Sequence, residues 1–233
     1  MLRLYKFTPL VIIIIILGAQ WGFYKYYTSQ FPNFTDKTYT IHIHGALWMI
    51  WLSLLVIQPL LITKGRSDLH RRIGKVSYVL GPTLILFLYL AGKESYWKIM
   101  NNATEAEALK FIVLDSRGLI SFSLFWALAM IYQKQPAAHM RYMIGTGILA
   151  IGPGFGRGIV NSFNYDFFTV FSLLDLANLL LVGFLLGYDI YKKQQHRPYV
   201  VIFCTLLLGA FLWQIRDSAT WQSIARVYAS FVY

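Results

Sequence analysis

Residues 41–63 read IHIHGALWMIWLSLLVIQPLLIT, 23 positions without Asp, Glu, Lys or Arg. A helix of about 20 apolar residues crosses a hydrocarbon layer of roughly 30 Å, so this stretch alone is long enough to span a membrane. Six further apolar runs flank it, at about 8–27, 76–92, 108–132, 140–160, 168–191 and 199–214. Together with the short loops between them they exhaust the 233 residues and leave no room for a separate soluble domain. The expected fold is therefore all-α: one transmembrane domain over 1–233, a bundle of about seven helices.

Composition agrees. Hydrophobic residues make up 57% of the chain and charged residues 13%, far from the mixture of a soluble domain. The net charge of +11 does not indicate nucleic acid, because the basic residues are not gathered on a face with aromatics between them. They are sorted by position instead. With the N-terminus inside, the inner loops and helix ends hold twelve of the 21 basic residues, among them Arg3, Lys64, Arg71, Arg72, Arg141 and Lys192. Only Asp68 and Asp189 oppose them there. Basic residues near span ends are retained on the cytoplasmic side, so the N-terminus is expected in the cytoplasm and the C-terminus outside. The first run has the basic flank of a signal peptide, but Gly18-Ala19-Gln20-Trp21 is a poor cleavage site and the run reads as a helix. Beyond Arg216, residues 217–233 carry apolar side chains at helical spacing and suit an interfacial helix among membrane lipids. The one cysteine, Cys204, lies in an apolar run and reads as a packing residue.

Ionisable groups inside a span are costly, about 2.5–3.5 kcal/mol each on insertion scales, and so mark function or helix pairing. One group lies in the outer half. His44, Trp48, Trp51, Leu55 and Gln58 form a single stripe on the second span. Asp115 lies about 7.5 Å inside Lys110, with Arg117 deeper, and Asp175 lies about 13 Å beyond Asp166. The fifth span ends in Gly152-Pro153-Gly154-Phe155-Gly156-Arg157-Gly158, where an unwound or kinked backbone is expected. His44, Gln58, Asp115, Arg117, Arg157, Asn161 and Asp175 are thus candidates for one outward-opening polar pocket. The plainer alternative is that an Asp–Arg pair only clamps helices together. A second group, His70 and His139, lies at the inner face, where two imidazoles can ligate a haem or a metal or simply sit among lipid phosphates.

His44, Gln58-Pro59-Leu60-Leu61, Leu69-His70-Arg71-Arg72-Ile73-Gly74, His139-Met140-Arg141-Tyr142-Met143 and Arg157 resemble the pattern of a family of uncharacterised bacterial multi-pass membrane proteins. That resemblance covers about half of the chain and implies a plasma-membrane location without a reaction. More remotely, the chain is similar to cytochrome b561-like bundles. This similarity implies a b-type haem, with His70 and His139 as an axial pair and His44 in a second. The fourth span supplies no histidine to partner His44. Three readings stand: a pocket for a small polar or amphiphilic ligand, a haem redox protein using His70 and His139, and a membrane-embedded metal-dependent hydrolase using His44, Asp115 and Asp175.

Overall fold

A computed structural model describes residues 3–35 and 37–233, with side chains from Tyr5 onward; the Arg3 side chain, counted in the charge balance, lies outside the described residues. The chain is an all-helical bundle. Its helices are α1 (Thr8–Tyr24), α2 (Tyr39–Thr63), α3 (Ser67–Gly74), α4 (Ser77–Asn102), α5 (Glu105–Ile131), α6 (Pro136–Ile148), α7 (Arg157–Phe163), α8 (Phe167–Tyr191), α9 (Arg197–Gln214) and α10 (Ala219–Val232). Six helical segments are long and apolar enough to cross a membrane, with α6 and α7 forming one of them through a π-helical turn, Gly152–Gly156. A seventh forms if α3 and α4, bent by 40° at their junction, count as one span.

Local chemistry sets the ends. Thr38, Thr104, Asp166 and Ser218 cap α2, α5, α8 and α10, each side chain accepting from the backbone N–H three residues on. Pro136 starts α6 where its missing N–H costs nothing, and Asn164 ends α7 in the left-handed region at φ 56°. Long exposed side chains such as Leu173, Leu180 and Phe184 on α8 and Leu208 and Phe211 on α9 form the apolar exterior expected against lipid. Cys204 is exposed on that exterior, which corrects its reading as a packing residue.

Two departures shape the interior. The third span runs ten residues past the expected end, to Asn102, because Lys93, Glu94 and Lys98 extend a helix beyond its apolar stretch. The Gly-Pro-Gly segment is not unwound. It continues as the π turn, pressed against α1 so closely that a Cβ at Gly22 would collide with the Gly154 carbonyl, and one at Gly154 would lie 2.9 Å from the Ala19 nitrogen. Small residues at a crossing allow this backbone approach, and a π turn is a common way to rotate a helix at a functional position.

Candidate functional site

The seven outer candidates do not form one pocket. The structure distributes them over three places, for reasons of helix azimuth.

His44, Asp115 and Arg157 share the first. α2 turns its stripe inward: Trp51 is fully buried, donates to Thr146 Oγ1 at 3.0 Å and meets the Phe122 ring edge-on at 5.2 Å. His44, two turns toward the outer end, lies beside the Phe87 backbone with Nδ1 buried and unbonded. Asp115 faces α4 and α10. The point where a Gly92 Cβ would sit is 3.0 Å from Asp115 Cβ and 2.9 Å from the Tyr233 hydroxyl, so the missing side chain at Gly92 makes room for both. Arg157, the first residue after the π turn, lies with its guanidinium 4.9 Å from the Phe23 ring and, among the described residues, donates only to the Pro153 carbonyl in its own turn, at 3.5 Å.

Arg157 is the charge that acts on both Asp115 and His44 through the interior, yet neither makes an ion pair with it within 4.0 Å. Among the described residues the Asp115 carboxylate has no hydrogen-bond partner. All three side chains are half-buried rather than sealed. Asn161 borders this place from α7, where its amide reaches the Gly22 carbonyl at 3.5 Å.

Arg117 and Asp175 form the second place. Two residues along α5 rotate a side chain by about 200°, so Arg117 points away from Asp115, toward α8 and α9. There Arg117 Nη1 donates to Asp175 Oδ2 at 2.7 Å, with the guanidinium 5.6 Å from the Trp213 ring. This pair is the helix clamp anticipated as the plainer alternative, and it corrects the assignment of both residues to the pocket.

Gln58 belongs to the third. Fourteen residues separate it from His44, about 21 Å along one helix, and its Oε1 lies 3.8 Å from a Cβ position at Gly74 in α3. The correction is one of depth: a shared face does not bring two residues to the same level. Both amide atoms of Gln58 are buried without partners, as is His70 Nδ1 beside it. His139 acts on His70 electrostatically, and its own Nδ1 contacts the Ala129 carbonyl at 2.8 Å.

Sequence reasoning missed the most tightly built polar group. Arg141 and Asp189, counted as inner-boundary charges, are instead buried, at 2% and 0% exposure. Arg141 donates through Nε and Nη2 to the two Asp189 oxygens at 2.5 and 3.0 Å, Tyr5 donates to Oδ1 at 2.7 Å, and Arg141 Nη1 donates to the Ala137 carbonyl at 2.7 Å. The signal was present: an acid among the few at the basic end is matched with a partner because a lone buried charge is expensive.

The metal-hydrolase reading loses its ligand set, since Asp175 is engaged by Arg117 on another face and the described residues contain no group of three His, Cys, Asp or Glu arranged for a metal. Two open grooves, one of about 730 Å³ between α7 and α8 lined by Ile159, Tyr165 and Leu173, lie on the apolar exterior and do not reach Asp115 or Arg157.

Fold and site together define a class: an all-α, multi-pass membrane protein with charged residues built into its helices. No family model, curated protein or solved structure matches the chain.

Proposed function

We propose that this chain is a protein of the bacterial plasma membrane, N-terminus inside, that binds a small polar or amphiphilic ligand in the outer half of the bundle between His44, Asp115 and Arg157. One observation carries the reading: within a membrane bundle, and among the described residues, Asp115 has no hydrogen-bond or ion-pair partner and Arg157 donates only to the Pro153 carbonyl of its own turn. Paired charges recover part of their desolvation cost, and charges held apart do not, unless water or a ligand bridges them. The basic inner loops support the orientation, and a Cys at Ser67 is expected to resist an outside reagent that labels one at Thr104.

Native mass spectrometry of the full chain extracted from membranes tests the binding. Wild type is expected to retain a bound small molecule that Arg157→Ala loses while remaining folded by size-exclusion and melting. Equal spectra for the two proteins would overturn the reading.

A second reading, a b-type haem at the inner face, has its own support. The Ala129 carbonyl occupies one nitrogen of His139, which leaves Nε2 free to ligate, and His70 presents a buried nitrogen without a partner. His70 and His139 would hold the iron, and the group would supply one-electron chemistry. A Soret band in the purified protein, lost in His139→Ala, is its test; a featureless spectrum after haem supplementation rejects it.

A further inference from the structure

The outer site has two differently built ends. Around Asp115 stand tyrosines: the Tyr233 ring packs 5.3 Å from Tyr96, 5.5 Å from Tyr228 and 6.2 Å from Tyr89. The Tyr233 hydroxyl and Asp115 Cβ lie 2.9 and 3.0 Å from one point, the Cβ position of Gly92. Tyr89 is tied down by donating to the Val232 carbonyl at 2.7 Å. Carboxylate plus aromatic rings is the chemistry that takes a cationic nitrogen, through Coulomb attraction and the negative faces of the rings. Around Arg157 the opposite holds. Its guanidinium lies over Phe23 and, among the described residues, has donors left free, since the Pro153 carbonyl engages one of them at 3.5 Å. A planar fork of free N–H groups takes a carboxylate or phosphate, often through two bonds.

Resting on the outer-pocket reading, we infer that the ligand is a zwitterion, its cationic nitrogen held by Asp115 within the Tyr89, Tyr228 and Tyr233 wall and its carboxylate or phosphate held by Arg157. Charge matching selects this class. A simple anion satisfies Arg157 but is repelled by Asp115, and a simple cation meets the reverse problem. A molecule carrying both charges compensates both half-buried groups and leaves the net charge of the site unchanged. His44, with its unbonded Nδ1, lies beside the path between the two ends and supplies one further polar contact. Free zwitterions and the zwitterionic headgroup of a membrane lipid share this chemistry.

The test uses the full chain in phosphatidylglycerol nanodiscs, titrated with glycine betaine, phosphoethanolamine and phosphocholine. Tetramethylammonium and inorganic phosphate serve as the two halves. At least one zwitterion is expected to bind tenfold or more tightly than either half. Asp115→Asn should erase the preference over phosphate, and Arg157→Gln the preference over tetramethylammonium. Size-exclusion and melting profiles establish that each variant is folded, and Gly92→Ala, which crowds Asp115 without removing a charge, provides a third variant. Repeating the titration in nanodiscs doped with phosphatidylcholine or phosphatidylethanolamine identifies the source: loss of the free-zwitterion response means that the lipid headgroup already fills the site. Phosphate binding as tightly as every zwitterion, dependent on Arg157 and indifferent to Asp115→Asn, overturns the zwitterion and leaves the pocket. No binding by any probe in either nanodisc overturns both, and variants that then melt well below wild type identify the outer charges as a clamp.

Discussion

The bundle contains two sets of opposed charges built on contrary principles. At the inner end Arg141 and Asp189 close on each other in a two-pronged contact, and Tyr5 and the Ala137 carbonyl complete their bonding. At the outer end Arg157 and Asp115 feel each other without touching, and a histidine nitrogen beside them has no partner. The first arrangement ties the turn that precedes α1 to α6 and α8 and spends its bonding capacity within the protein. The second keeps its capacity unspent. Charges satisfied by the fold serve its architecture, and those it leaves without a partner are the ones the proposed binding uses.

The sharpest break in that comparison is expected from Asp189→Ala. It strands a buried guanidinium, which costs about 3–5 kcal/mol when one partner of such a pair is removed, so the melting temperature in detergent should fall steeply. Asp115→Asn should leave melting unchanged or raise it, because no internal bond is lost. A steep fall for Asp115→Asn would mean that the outer charges are a clamp as well. Arg117→Leu lies between these limits: it breaks one half-buried bond to Asp175, and a loss of about 1–2 kcal/mol is expected from interhelical polar contacts in membranes. Melting equal to Asp189→Ala would place this pair with the inner clamp.

The smallest effect concerns a helix end. The Asp166 carboxylate caps α8 by accepting the Thr169 N–H at 2.7 Å, which holds it below the usual carboxylate range. A depressed carboxyl contributes stability that is full above its unfolded value and is lost as pH falls through its folded value. Melting curves of wild type and Asp166→Ala should therefore differ at neutral pH and converge in acid. A difference of the same size at neutral pH and in strong acid, where the carboxyl is protonated in both states, would contradict the cap.

Much of the fold was legible because spanning a membrane is a matter of apolar length, and residues 41–63 or 168–191 announce it. The end of α4 was not, since Lys93 and Glu94 stop an apolar count without stopping a helix. Nor was the π turn, whose glycines suggest unwinding until Gly18 and Gly22 of α1 are seen pressed against it. The site was legible by depth and illegible by direction. Asp115 and Arg117 share a level but face opposite sides of α5, and His44 and Gln58 share a face but not a level. Asp189 was hidden by its neighbours: three residues before Lys192 it looks like a boundary charge, and only the packing of α6 on α9 and of α9 on α8 closes the interior around it.

The proposed openness of the outer site, against the closure of the inner one, is tested most directly by cysteine accessibility in intact membranes on a Cys204→Ser background. Arg157→Cys and His44→Cys are expected to react with a small, water-soluble, charged thiol reagent from the outer side. Thr146→Cys, at a fully buried position of α6, should not react from either side. Reaction at the outer positions no faster than at residue 146 would contradict the account, because a sealed outer cluster is a second clamp and not a binding site.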